Sequence, residues 1–195
     1  MGRGKKIVDI ELVIDEAIAL IEEGGVEEFS TRRLASRLGI SAMTLYNYYE
    51  NRGAILKGAF EKGSSMLWSG LQEEIEARRA PGDNGHGAFQ ALSEHLLAFA
   101  TTRPKLCHFI LTVGAGEDWA VRDGWLDTFD TPQGLPPGGG RHGAAKAARK
   151  RAVYLFELII YALALKVIGG AESPERYRDL AAEGLDRLLE SREDG

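Results

Sequence analysis

Between Ser30 and Tyr48, two short helix-forming stretches are separated only by Gly39, Ile40 and Ser41, and this spacing constrains the chain more than any other feature. Ser30 or Thr31 caps the first stretch, which turns Leu34, Ala35 and Leu38 inward and stops at Gly39. Ser41 caps the second, a very short helix from Ala42 to Tyr48. Two helices joined by a turn of about three or four residues around a glycine form a helix-turn-helix. In such a unit Leu34, Ala35, Ile40 and Leu45 lock the pair together, so Ala42, Met43, Thr44 and Asn47 are left projecting outward. A preceding amphipathic helix completes the group. Its apolar residues Ile10, Val13, Ile14, Ala17, Ile18 and Ile21 recur at helical spacing, and Gly24 and Gly25 end it.

Helical patterns continue through the rest of the chain. A fourth helix is predicted from about Asn51 to Arg79, and residues 80–87 form a loop by composition. Further helices are predicted over 88–101, 104–113 and 117–129, then a Gly- and Pro-rich segment from Thr131 to Gly143. A long helix follows from about Ala144 to Ile168. A last one starts at Pro174, behind a capping Ser173, and runs to about Arg192. No strand pattern and no internal repeat interrupts these. The expected fold is all-α, with a helix-turn-helix domain over residues 1–50 and a second helical domain over 51–195.

The 195 residues are enough to bury a core, and the single Cys107 excludes an intramolecular disulfide, which points to a reducing compartment. The chain opens with polar and basic residues rather than with an apolar signal segment. The longest apolar run, Ala152 to Ile168, carries Glu157 and Lys166 and falls short of the roughly 20 residues that span a bilayer. A soluble, cytoplasmic protein without a membrane partner is expected. The net charge of −5 excludes a generally basic nucleic-acid binder. The charge is segregated, however. Eight acids lie between Asp9 and Glu28, whereas Arg32 to Arg52 holds four cations (Arg32, Arg33, Arg37, Arg52) and the one acid Glu50. The basic stretch coincides with the helix-turn-helix.

The run from Phe29 to Leu56 resembles the DNA-binding domain of the tetracycline-repressor (TetR-type) family. The resemblance rests on Thr31, Leu34-Ala35, Leu38 to Ser41, Leu45-Tyr46, Tyr48-Tyr49 and Leu56, and extends without a gap from residue 7 to about 60. Gly53 and Glu50 depart from the family's more usual residue types. The resemblance implies a symmetric homodimer, each third helix entering a major groove of a double-stranded operator. By position, Thr31, Ser41, Tyr46, Tyr48 and Arg52 look like phosphate contacts, and Arg32, Ala42, Met43, Thr44 and Asn47 like base-facing residues. The chemistry suits those roles. Hydroxyls and phenols position a duplex backbone. Arginine can bond guanine bidentately, asparagine suits adenine, and the methyl groups of Ala42 and Thr44 suit those of thymine.

Tyr49 is expected in the core and Tyr46 and Tyr48 toward DNA. Arg33 and Arg37, four residues apart, read as a solvated face, and Arg3, Lys5 and Lys6 as either a groove-reaching arm or a loose end. His86, His95, His108 and His142 have no zinc-ligand spacing, and Gly114 to Gly116 lacks the remainder of a dinucleotide-binding motif. The glycines from Gly138 to Gly140 read as a flexible loop rather than an anion nest. No nucleophile–base pair or paired-carboxylate arrangement suggests an enzyme, so no catalytic residue, metal or cofactor is expected.

The helix from Ala152 to Ile168 is apolar nearly all round and must be covered on both sides. With the final helix it is expected to form a four-helix dimer interface using Leu155, Ile159, Leu163, Leu185 and Leu188. Trp68, Phe89, His95, Phe99, His108, Trp119, Trp125, Phe129, Tyr154 and Tyr161 supply aromatics for a pocket that would hold a small apolar or aromatic effector, with Glu157 as its polar handle. The function expected is a ligand-responsive transcriptional regulator, a repressor that binds a palindromic operator as a dimer. The alternative is a helical protein-interaction adaptor without specific DNA binding.

Overall fold

The structure, a computed structural model, describes residues 9–78, 86–113, 159, 161–170 and 173–190. Among these, all regular secondary structure is helical. In chain order the helices are α1 (Ile10–Gly24), α2 (Thr31–Arg37), α3 (Ala42–Leu45), α4 (Arg52–Trp68), α5 (Leu71–Arg78), α6 (His86–Thr102) and α7 (Pro104–Val113). Two more follow: α8, described at 159 and over 161–168, and α9 (Pro174–Glu190). The helices expected over 117–129 and 144–158, and the segment from Thr131 to Gly143, lie outside the described residues.

The chain divides into two compact units, Met1–Leu67 with Lys105–Trp119, and Trp68–Pro104 with Ala120–Gly195. The unit that holds the helix-turn-helix therefore includes α4 and most of α7, more than a division at residue 50 would give it. Its core comes from the apolar stripe of α1 (Val13, Ile14, Ala17, Ile18, Leu20, Ile21), with Phe29, Leu34, Ala35, Leu45, Ile55, Leu56, Leu106 and Phe109, all buried. Asp9 caps α1 by accepting from the amides of Glu11 and Leu12. Helix α4 buries Ile55, Leu56, Ala59 and Leu67 and packs closely at its glycines. A Cβ at Gly58 would lie 2.6 Å from Ile14 Cδ1 of α1, and one at Gly63 would lie 3.1 Å from Leu106 Cδ1 of α7. Phe60 of α4 meets Phe109 of α7 edge to face, at 6.4 Å between ring centroids.

Sequence reading and structure differ at the end of α4. Instead of one helix to Arg79, α4 stops at Trp68 and α5 begins at Leu71. Gly70, with φ of 82°, adopts the left-handed conformation that turns the chain between them. Helix α3 is also shorter than expected, ending at Leu45, and its continuation through Tyr48 is a series of turns.

In the second unit α6 packs against α5 and α9. Leu71 and Ile75 of α5, Ala91, Leu92, Leu96 and Leu97 of α6, and Tyr177 and Ala181 of α9 are buried. An ion pair and a hydrogen bond join α5 to α6, Arg78 Nη2 lying 2.6 Å from Glu94 Oε2 and His95 Nδ1 2.9 Å from Glu74 Oε1. Ser173 caps α9 as the sequence indicates, its Oγ accepting from the amide of Arg176. No helix of the described residues is long and apolar enough to cross a membrane.

Candidate nucleic-acid interface

The reading head is assembled from three capped helices. Ser30 caps α2, its hydroxyl accepting from the amide of Arg33 at 3.1 Å. Helix α2 ends in a Schellman turn: the amide of Gly39 donates to Ser36 O and that of Ile40 to Ala35 O, with Gly39 at φ 63°. A side chain at Gly39 would resist this backbone, so the glycine sets the angle at which α3 leaves α2. Ser41 then caps α3. Its Oγ accepts from the Thr44 amide at 3.1 Å and lies 2.8 Å from Thr44 Oγ1.

This turn fixes which residues look outward. Leu45 is fully buried, and at about 100° per residue Met43 and Asn47, two positions to either side, fall on the opposite pole of the turn. Met43 is 74% exposed, and Asn47, Tyr46 and Tyr48 are exposed beside it. Ala42 and Thr44 flank that pole and are half-buried. Thr31 at the start of α2 meets Tyr46 beyond the end of α3, with 3.1 Å between the two hydroxyl oxygens. Thr31, Ser41, Thr44 and Tyr46 therefore form two hydroxyl pairs on the head, and Arg32 stands exposed next to Thr31.

Tyr49 is half-buried, and its hydroxyl donates to the carbonyl of Ile10, tying the end of the head to the start of α1. Burial holds its phenol above the usual pKa.

Arg52 is placed differently from the other candidate phosphate contacts. Its Nη2 donates to the carbonyl of Val26 at 3.1 Å and lies 3.5 Å from that of Phe29, and its guanidinium sits 5.4 Å from the centre of the Phe29 ring. The side chain secures the α1–α2 connection. Asn51, the residue before it, caps α4 by accepting from the Ala54 amide at 3.0 Å.

The two arginines expected as a solvated face are exposed, and they pair there with acids of the first helix and of the connection that follows it. Arg37 Nε lies 2.8 Å from Glu16 Oε2, and Arg37 Nη1 bonds Glu23. These carboxylates, the Glu23 hydrogen bond foremost, hold the Arg37 guanidinium above its usual pKa. Arg33 reaches Glu28 at 3.6 Å and Glu23 at 4.0 Å. Lys105 of α7 donates to the backbone carbonyl of Glu23, so this one residue joins α1 to α2 and to α7. Helical spacing could not reveal the partners of Arg37 and Lys105, because Arg37 lies 14 positions from Glu23 and Lys105 lies 82 from it along the chain. Their consequence is electrostatic: Glu16, Glu23 and Glu28 pair with Arg33 and Arg37, and among the described residues Arg32 makes no ion pair.

Of the residues expected around an effector, Trp68, Phe89, His95, Phe99 and Tyr161 fall in the second unit and His108 in the first, and each is half-buried. Trp119, Trp125, Phe129, Tyr154 and Glu157 lie outside the described residues. Of the expected dimer face, Ile159 and Leu163 are half-buried, while Leu155 and the side chains of Leu185 and Leu188 lie outside the described residues. Leu165 on α8 and Leu180 on α9 are exposed, at 38% and 44%. Among the described residues no group of three or more His, Cys, Asp or Glu side chains could hold a metal ion.

Comparison with known proteins agrees with this head. An HTH-type transcriptional repressor, DrrR1, from Streptomyces coeruleorubidus is 28% identical over 107 residues, covering 54% of this chain and 37% of that protein. The class D tetracycline repressor protein from Escherichia coli is 46% identical over 46 residues, 24% of this chain and 21% of that one. The chain thus spans well under half the length of these curated relatives. Over nearly the whole chain, a solved transcriptional regulator from Rhodococcus sp. RHA1 shares the fold, with a TM-score of 0.71 at 20% identity, covering 94% of this chain and 97% of the other. The fold is an N-terminal helix-turn-helix domain followed by a C-terminal helical domain. Residues 13–59 match the family model of the bacterial regulatory proteins, tetR family, so the helix-turn-helix part of this chain is similar to that family's domain.

Proposed function

We propose that this protein is a ligand-responsive, DNA-binding transcriptional regulator, a repressor that holds a near-palindromic operator as a homodimer in the cytoplasm. The observation that carries this reading is the outward pole of the α2–α3 head. Met43 and Asn47 stand clear of the protein while Leu45 anchors the turn beneath them. A helix end that presents an exposed methionine and asparagine beside exposed tyrosine hydroxyls is free to meet a partner, and a major groove admits a helix of this size. In this reading Thr31, Ser41, Tyr46 and Tyr48 contact phosphates, and Arg32, Ala42, Met43, Thr44 and Asn47 face bases. Arg52, already bonded to two carbonyls, acts mainly by holding the head in place.

Two heads are needed to read a palindrome, and the apolar residues left exposed on α8 and α9, Leu165 and Leu180, support pairing through those helices. The aromatics of the second unit supply the material of an effector site for a small apolar or aromatic molecule. An effector regulates only by binding unequally to the DNA-competent and DNA-incompetent forms. The similarity to proteins named as repressors supports repression as the default state.

The experiment is a selection from random duplexes with the full-length chain. It is followed by a screen of apolar and aromatic compounds for release of the selected duplex, with mass measured in solution. An inverted repeat, a dimeric mass and at least one releasing compound are the expected results. Binding of a protein partner with no salt-sensitive affinity for any duplex would replace this reading with that of an adaptor.

A further inference from the structure

The pole of the reading head carries no cation. Met43, its most exposed side chain, has no hydrogen-bond donor, and its thioether sulfur is a poor acceptor. Against a base edge in the major groove such a group gains only by apolar contact, and the apolar feature of that groove is the thymine 5-methyl. The other small methyl groups of the helix are less available. Ala42 and Thr44 are half-buried, and the Thr44 hydroxyl is held against Ser41 at 2.8 Å. Asn47, one turn along on the same pole, carries the amide that pairs with the N6 and N7 edge of adenine. Arg32, on α2 rather than α3, is the exposed side chain suited to guanine.

Resting on the DNA-binding reading above, we infer that Met43 is a specificity-determining residue that reads a thymine methyl, so that the part of each half-site beneath α3 is composed of A·T pairs. The contact is apolar. Discrimination at this point comes from the methyl group itself, and hydrogen bonding contributes through Asn47 at a neighbouring pair.

The test uses the full-length protein and a duplex selected by it from a random pool, remade with deoxyuridine for thymidine at one half-site position at a time. Deoxyuridine preserves pairing and removes only the methyl. For at least one position wild-type affinity should fall about fourfold, the value of one buried methyl group. Met43→Ala should bind thymidine and deoxyuridine duplexes equally at that position, and Met43→Leu should restore the preference. Unchanged melting temperatures establish that both variants are folded. Equal wild-type binding to thymidine and deoxyuridine at every position would overturn the inference, as would a full thymidine preference in Met43→Ala. Either result leaves DNA reading itself intact. A pool from which no duplex is enriched would overturn both.

Discussion

Thr31 and Tyr46, fifteen positions apart in the chain, share a hydrogen bond of 3.1 Å between their hydroxyls across the face of the reading head. The bond joins the start of α2 to the end of α3, so it both braces the head and sets two hydroxyls side by side, one of them with its hydrogen free to donate. If both hydroxyls serve one phosphate, their contributions are coupled. Thr31→Val and Tyr46→Phe should each weaken operator binding roughly fivefold, the effect of about 1 kcal/mol per hydroxyl. The double variant should lose less than the product of the two. Fluorescence anisotropy on a selected duplex measures this, and independent, fully multiplicative losses would separate the two roles.

Arg32 and Arg37 lie on one short helix and are assigned opposite roles. Arg37 is engaged with Glu16 and Glu23, whereas Arg32 is exposed. Arg37→Ala should lower the melting temperature, whereas Arg32→Ala should leave it unchanged and reduce affinity for DNA. Arg32→Ala should also make the affinity less steeply dependent on salt, by about one unit in the logarithmic slope if the side chain also neutralises a phosphate. Calorimetry and salt titrations on both variants separate stability from binding. Equal effects of the two substitutions on stability would contradict the assignment.

Glycine to alanine should act in opposite directions in two helices. At Gly184 of α9 an added Cβ meets nothing within 4 Å among the described residues, so alanine should stabilise by about 0.5–1 kcal/mol through helix propensity. At Gly58 the same Cβ would stand 2.6 Å from the buried Ile14. The propensity gain of about 1 kcal/mol is then offset by an overpacking cost of about 1–3 kcal/mol, and a net loss is expected. Chemical denaturation of the two variants reads both signs.

Burial pushes the Cys107 thiol up to about 12 from a usual value of 9.0. The native thiol therefore stays protonated where the unfolded one ionises. The folded state binds the extra proton, so its advantage is full below pH 9 and is lost as pH rises toward about 12. Native protein at pH 8 should react with a thiol reagent far more slowly than protein unfolded in urea. Labelling rates that match in the two states would place this sulfur at the surface.

What the sequence made legible was local. The stripe from Val13 to Ile21, the caps at Ser30, Ser41 and Ser173, and the glycine stop at Gly39 each depend on neighbours within a few positions, and each stands where it was read, whereas Ile10, expected on the same stripe, is exposed at the helix start. The outward set on α3 was legible for the same reason, since burying Leu45 exposes Met43 by helical geometry alone. What was missed was non-local or hidden in composition. Arg37 found partners in α1, Glu16 and Glu23, that no periodicity links to it. Arg52 was drawn to backbone carbonyls, which any residue supplies. The break at Gly70 was masked because helical patterning resumes one residue later, in phase enough to read as a single helix.

The central claim is that the pole of α3 enters a DNA groove, and site-directed cleavage tests it most directly. In Met43→Cys the new thiol is exposed, whereas Cys107 is buried and unreactive, so an iron chelate attaches selectively at position 43. Bound to a selected duplex, the labelled protein should cut within each half-site, at two positions related by the symmetry of the repeat. Protein that binds the duplex yet leaves those half-sites uncut would contradict the account.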